Sequence, residues 1–325
     1  MGKILSPGIS RSTTSQLKGI ACIMIAIHHY VHFASNSHNI VTYIISAHFG
    51  YLFVSLFFLL SAYGLTEAES AKRQSFGLFL KKRLFKICQP FIIMNIIALA
   101  IYGLVGYRTF SAKDVFLYTF GIKLIDPVCW YILVSLMLYI FFWISFQFKR
   151  NCYRVAVLLL LSVLYMLAGH FYFHLPENIY MSVLSFPLGM SLSLYKEQIW
   201  QWIRNRYFLV YNAVYVFAIL AVAFGFHKLG INMFQTICMS FILVPTYLFI
   251  SYKDVLKLKV LDFFGNISYE IYLVHMKVLV LMRLFISGYT NLASFMLLVL
   301  VFAYLFSLFL SFINKRKTNK VILTN

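Results

Sequence analysis

The chain has 325 residues, 62% hydrophobic and 11% charged, with a formal net charge of +19. A soluble domain averages about 25% charged residues, so these charges are too few to cover a water-exposed surface, and most of the exterior must face lipid. Nucleic-acid binding is excluded as well. The basic residues sit in short clusters between apolar runs, the pattern that orients membrane spans, and no basic domain is left to hold a duplex.

Apolar runs of bilayer-spanning length, about 20 residues, recur along the chain. Spanning segments must satisfy their own backbone groups, as helices or as a closed barrel. Barrel strands would alternate polar and apolar residues, whereas Val155 to Met166 is almost wholly aliphatic. The expected fold class is therefore an all-α, polytopic membrane helix bundle.

Ten spans are expected, at about 17–34, 49–66, 89–107, 127–147, 154–171, 179–195, 207–226, 232–251, 264–286 and 291–313. With the N-terminus inside, only Arg108, Lys113, Lys123, Lys228, Lys277 and Arg283 of the 28 Lys and Arg residues fall outside. That asymmetry fits an even number of crossings with both termini cytoplasmic. The first span lacks a small-residue cleavage site and reads as an uncleaved anchor. The polar stretch from Glu67 to Gln74 leads into Lys81-Lys82-Arg83 and is expected to lie along the inner membrane surface. Cys22, Cys88, Cys129, Cys152 and Cys238 form no CxxC pair, and indicate neither a disulfide framework nor a zinc site. One membrane domain is expected over 1–325, with the bundle at about 15–313 and a cytoplasmic tail at 314–325.

Four segments carry groups that chemistry needs. In the first span Lys18 and His29 are eleven residues apart. That is almost three helical turns, so both project from one face, roughly 16 Å apart along the axis. Ionisable groups inside a bilayer are costly and mark function by default; the alternative is that Lys18 snorkels and His29 is satisfied by a neighbouring helix. His28 and His32 have a spacing that suits a metal, but the helix has no Glu or Asp to complete a ligand set, so no metal site is expected. The second segment, Val54 to Gly64, contains Ser61 and Tyr63 among small residues that permit close helix packing. In the third, Lys81-Lys82-Arg83-Leu84-Phe85-Lys86 before Pro90, Arg83 and Lys86 are one turn apart. They could grip a phosphate or face anionic lipid heads. The fourth runs from Phe264 to Lys277. Ser268, Tyr272 and His275 share one helical face there, while Glu270 and Lys277 share another. An internal polar network between helices would account equally for these groups.

The order and spacing of these segments resemble the acyltransferase 3 family of integral membrane O-acyltransferases. The family opens with Leu-Arg-Gly and a His eleven residues after the Arg; Leu17-Lys18-Gly19 and His29 occupy those places. Its Phe-Phe-x-x-Ser-Gly-Tyr is similar to Phe57 to Tyr63, with Ala62 in place of Gly. Its Arg-x-x-Arg with a following Pro is matched by Arg83, Lys86 and Pro90. Its Ser-Tyr-x-x-Tyr-x-x-His is matched by Ser268, Tyr269, Tyr272 and His275, and Trp130-Tyr131 resembles its Trp-Phe segment. Lys18 and Lys86 keep the family's charge but lose the planar guanidinium. The Glu-containing motif common in the middle of the family is missing near Trp130, where only Asp126 is close.

The resemblance implies transfer of an acyl group, usually acetyl, from acyl-CoA to a hydroxyl of a cell-surface or lipid-linked glycan. The expected location is a bacterial cytoplasmic membrane, with membrane lipids and polysaccharide-synthesis proteins as neighbours. Lys18, Arg83 and Lys86 would hold the CoA phosphates. His29 would act as general base or as an acylated nucleophile. Glu270 or His275 would orient His29 or hold the acceptor. Ser61, Tyr63, Trp130 and Tyr272 would contact substrate. Acetyl-CoA is a donor substrate here, and no permanently bound cofactor is expected. The competing class is a lipid or sugar transporter in which His29, Glu270 and Lys277 form a proton relay; a scaffold within a polysaccharide-synthesis complex is a third.

Overall fold

A computed structural model describes residues 8–35, 39–230, 234, 237, 238, 240–253, 258–285 and 291–323. The described residues are helical and contain no strand. Among the described residues, seven helices are long and apolar enough to cross a membrane, by length and composition. Their outward faces carry large apolar side chains, with Phe217 75% and Leu297 63% exposed. Water would not tolerate so much contiguous apolar surface; lipid does. The protein is a multi-pass membrane protein.

α1 (Arg11–Ala34) begins six residues earlier than its apolar run, because Ser10 caps it by accepting the Thr13 N–H at 3.0 Å. After a short helix, α2 (Ile40–Ile44), the chain forms a π-helical turn (Ile45–Phe49) and enters α3 (Gly50–Ala71). α4 (Phe76–Leu104) follows at once. Glu69 closes the turn between them, accepting from the Gln74 backbone and side chain at 3.0 and 2.9 Å. The segment expected along the membrane surface is therefore the end of α3 and the first turns of α4, which places Arg83 and Lys86 on a bundle helix.

α5 (Ala112–Thr119) is short and capped by Ser111. A 3-10 turn (Pro127–Cys129) leads into α6 (Trp130–Phe146), and α7 (Asn151–Leu167) ends in a second π-helical turn (Ala168–Tyr172). α8 (Ser185–Leu194), α9 (Lys196–Ile203), α10 (Phe208–Lys228), α11 (Leu243–Lys253), α12 (Lys259–Asn266), α13 (Ser268–Phe285) and α14 (Leu292–Leu323) complete the chain.

The seven long helices coincide with seven of the ten expected spans. The expected span 179–195 is helical as α8 only from Ser185. Pro187, which lacks an N–H, sits in the first turn of α8, where that group has no helical acceptor. The expected span 232–251 lies partly outside the described residues, and α11 forms its second half. The expected span 264–286 is broken at Ile267 into α12 and α13. Asp262 on α12 accepts from Ser12 at 2.9 Å and from Gln16 at 3.1 Å, which ties α12 to the start of α1.

α1 occupies the centre, packed against α3, α12, α13 and α14. Two glycines allow the closest approach: a Cβ on Gly19 would meet the Leu261 carbonyl, and one on Gly265 would overlap the Ser15 carbonyl. Because the obstacle is backbone, Gly265→Val should force α1 and α12 apart and cost at least about 1–3 kcal/mol, the usual range for overpacking. A lower thermal midpoint of the purified protein in detergent is the expected result; an unchanged midpoint would contradict this contact.

Candidate active site

One face of α1 runs through the site. Arg11, Lys18 and Ile25 are spaced by seven residues, about two helical turns, and His29 follows one turn later. Arg11, Lys18, Arg83 and Lys86 line a cavity of about 620 Å³ between α1, α3, α4, α6 and α13. That volume lies within the ~300–1,000 Å³ range of small-molecule sites. Lys18 is within electrostatic reach of both Lys86 and Arg83. Among the described residues, no carboxylate lines this cavity. Four cations around one concavity suit an anion, and guanidinium and ammonium groups match phosphate oxygens. Ser61, Tyr139 and Ser268 also line it.

His29 lies in a second cavity of about 310 Å³, lined also by His28, His32, Ser46, Trp130, Asn178 and Ser182. Ile25, Val54, Tyr131 and Tyr272 line both cavities. The basic cavity and the histidine cavity thus meet at a single wall.

The hydrogen bonds assign the tautomers. His275 Nδ1 lies 2.7 Å from the Tyr272 carbonyl. A carbonyl only accepts, so Nδ1 carries the proton and Nε2 of a neutral ring has the lone pair. His275 Nε2 is 2.9 Å from His29 Nδ1, so His29 donates that bond. The lone pair of His29 is left on Nε2, and His29 belongs to the cavity lining. His275 is 1% exposed and lies outside that lining, which makes it a positioning residue: it holds the His29 ring in the tautomer that a base requires.

Behind His275 lies an ion pair. Lys277 Nζ is 2.5 Å from Asp126 Oδ2, and their side chains are 8% and 5% exposed. Asp126 starts the turn that also supplies the Val128 carbonyl, which accepts the Tyr272 hydroxyl at 2.7 Å. This turn anchors α13 through both residues. On the other side of the cavity, the π-helical turn presents the Ile45 carbonyl to His28 Nδ1 at 2.9 Å and Ser46 to His32 at 2.8 Å. π-turns displace backbone groups from the regular ladder and frequently occur at functional sites.

Of the residues singled out from sequence, Lys18, Arg83, Lys86 and Ser61 gather in the basic cavity. His29 and Trp130 share the histidine cavity, and Tyr272 forms part of the wall. Two residues are placed elsewhere. Glu270 lines neither cavity, and the charged group that acts on it is Lys86. Tyr63 packs against Tyr247, and its hydroxyl accepts the Ile9 N–H at 3.3 Å. Lys277 pairs with Asp126, so no His29–Glu270–Lys277 relay is assembled. Arg11 was missed, although its seven-residue spacing from Lys18 was visible. The pairing of Asp126 with Lys277 had no sequence signal, because the two are far apart along the chain.

A helical membrane bundle in which a basic cavity abuts one holding a buried imidazole suits group transfer within a membrane. The acyltransferase 3 family model, described as an acyltransferase domain, matches residues 15–313, nearly the whole chain. The chain belongs to this family and is a membrane acyltransferase. No curated protein and no solved structure matches it.

Proposed function

We propose that the protein moves a short acyl group, acetyl above all, from cytosolic acyl-CoA to a hydroxyl of a cell-surface or lipid-linked glycan. In this reading the basic cavity opens to the cytoplasm, the bundle crosses a bacterial cytoplasmic membrane ten times and both termini are cytoplasmic. The observation that carries it is the meeting of the two cavities at one wall, with His29 Nε2 on the far side from the cations.

Arg11, Lys18, Arg83 and Lys86 hold the donor's phosphates, and the pantetheine arm extends past Ser61 toward the wall. The acceptor enters the histidine cavity, where Trp130 offers a stacking face and Asn178 and Ser182 offer hydrogen bonds. His29 Nε2 removes the proton from the acceptor hydroxyl as its oxygen attacks the thioester carbonyl. The new C–O bond forms, the C–S bond breaks, and the CoA thiolate takes the proton back from the imidazolium. Glu270 takes no part in these steps.

Each cation should contribute one charged hydrogen bond, about 1.5–3 kcal/mol, or roughly 10–150-fold in affinity. Lys18→Gln and Arg83→Gln are therefore expected to raise KM for acetyl-CoA by that factor with kcat changed far less. The effect should shrink at high salt. Free thiol released by the purified protein in lipid nanodiscs measures both constants. Absence of thioester cleavage, with flux of a sugar or lipid across proteoliposomes, would replace this reading by transport. Loss of one acetyl per repeat from the surface glycan of a deletion strain would establish the acceptor class.

A further inference from the structure

The wall between the cavities is built from four side chains. Ile25 and Val54 supply its aliphatic part and are 3% and 9% exposed. Tyr131 and Tyr272 close it with rings edge to face, their centroids 5.5 Å apart. The two tyrosines are anchored differently. Tyr272 is fixed from the histidine side, its hydroxyl donating to the Val128 carbonyl at 2.7 Å. The Tyr131 hydroxyl faces Ser61 and Ser135 on the basic side. Its ring leans on Phe58 and Phe57, with centroids 4.8 and 6.1 Å away. One ring is thus pinned by a backbone acceptor, while the other is held by side chains alone.

We infer that the Tyr131–Tyr272 pair is an acyl-length gate: it closes the path between the two cavities at rest and admits only a short acyl thioester to His29. The inference rests on the proposed donor route, because a donor held by the cations must push its acyl end through this wall to reach the imidazole. Displacement of the Tyr131 ring into the basic cavity opens a slit, whereas Tyr272, Ile25 and Val54 stay in place and bound its width. A two-carbon acyl group passes with the thioester behind it. Each further methylene has to be lodged between an aromatic edge and two branched aliphatic side chains that are already packed.

Two measurements test the gate. The first compares acetyl-CoA with hexanoyl-CoA in thiol release. One methylene in a fitted apolar site discriminates by about 10–200-fold, so the parent protein should prefer acetyl-CoA by at least about tenfold. Tyr131→Ala and Val54→Ala should each reduce that preference to within about threefold, while Tyr131→Phe, which keeps the ring, should retain it. An unchanged preference in folded Tyr131→Ala and Val54→Ala would overturn the inference.

The second measurement needs no turnover. Cys88, Cys152 and Cys238 are replaced by Ser to leave the buried Cys22 and Cys129, and Ser46→Cys or Ser61→Cys is added. In inverted vesicles a membrane-impermeant maleimide should label Ser61→Cys but not Ser46→Cys, and adding Tyr131→Ala should make Ser46→Cys reactive. Equal labelling of Ser46→Cys with Tyr131 intact would show that the wall is not closed and would overturn the gate. Because this arm is independent of chemistry, a failed gate and a failed acyltransferase reading give different results: the first alters labelling with thiol release intact, the second abolishes thiol release with labelling as expected.

Discussion

His29→Ala is expected to lower kcat for acyl transfer by about 10²–10⁴-fold, the usual contribution of a positioned general base. KM for acetyl-CoA should hold, because the four cations proposed to bind the donor line the other cavity. The neighbouring substitution separates base from support. His275→Ala removes the acceptor that fixes the His29 tautomer but touches neither reactant, so kcat should fall by roughly 10²-fold, the scale of a small misplacement of a reacting group. His275→Gln, which retains an acceptor oxygen, should recover part of that loss. Steady-state kinetics of the three variants decides the assignment. Full activity in His29→Ala would remove His29 as the base, and equal losses in His275→Ala and His275→Gln would remove the hydrogen bond as the means.

Lys277→Met should be the most destabilising single change in the site. It leaves the Asp126 carboxylate buried at 4% exposure without its counter-charge, and breaking one partner of such a pair costs about 3–5 kcal/mol. Asp126→Asn with Lys277→Met removes both charges and should recover most of the stability, since paired burial offsets its own desolvation only partly. The readout is the thermal midpoint in detergent of the two single variants and the double variant. Additive losses in the double variant would show that the two residues do not form a pair. The turn from Asp126 to Cys129 also holds Tyr272 through the Val128 carbonyl. The Lys277 variant is therefore expected to lose acyl selectivity together with stability, which the double variant would restore.

Membrane residence, helicity and family membership were legible in the residues, because each follows from local facts. Apolar runs near bilayer length leave few alternatives, and the spacing from Lys18 to His29 makes one stripe on any helix. The same stripe carries Arg11 and Ile25, so one helix already aligned the cations, the wall and the base. The shared face of Ser268, Tyr272 and His275 was equally readable, and in the structure it runs from the basic cavity through the wall to the His29 ring. What stayed hidden was decided between helices. Glu270 and Lys277 share a face of α13 by spacing, yet Lys277 turns to Asp126, 151 positions earlier in the chain. Tyr63, two residues from the cavity-lining Ser61, packs against Tyr247 instead. The break at Ile267 arises because Gly265 lies against Ser15 and Asp262 binds Ser12 and Gln16, contacts that a continuous apolar span gives no hint of. Periodicity fixes which way a side chain points from its own helix; which neighbour it meets depends on how the helices pack, and that is settled by glycine contacts, buried pairs and turns far apart in the chain.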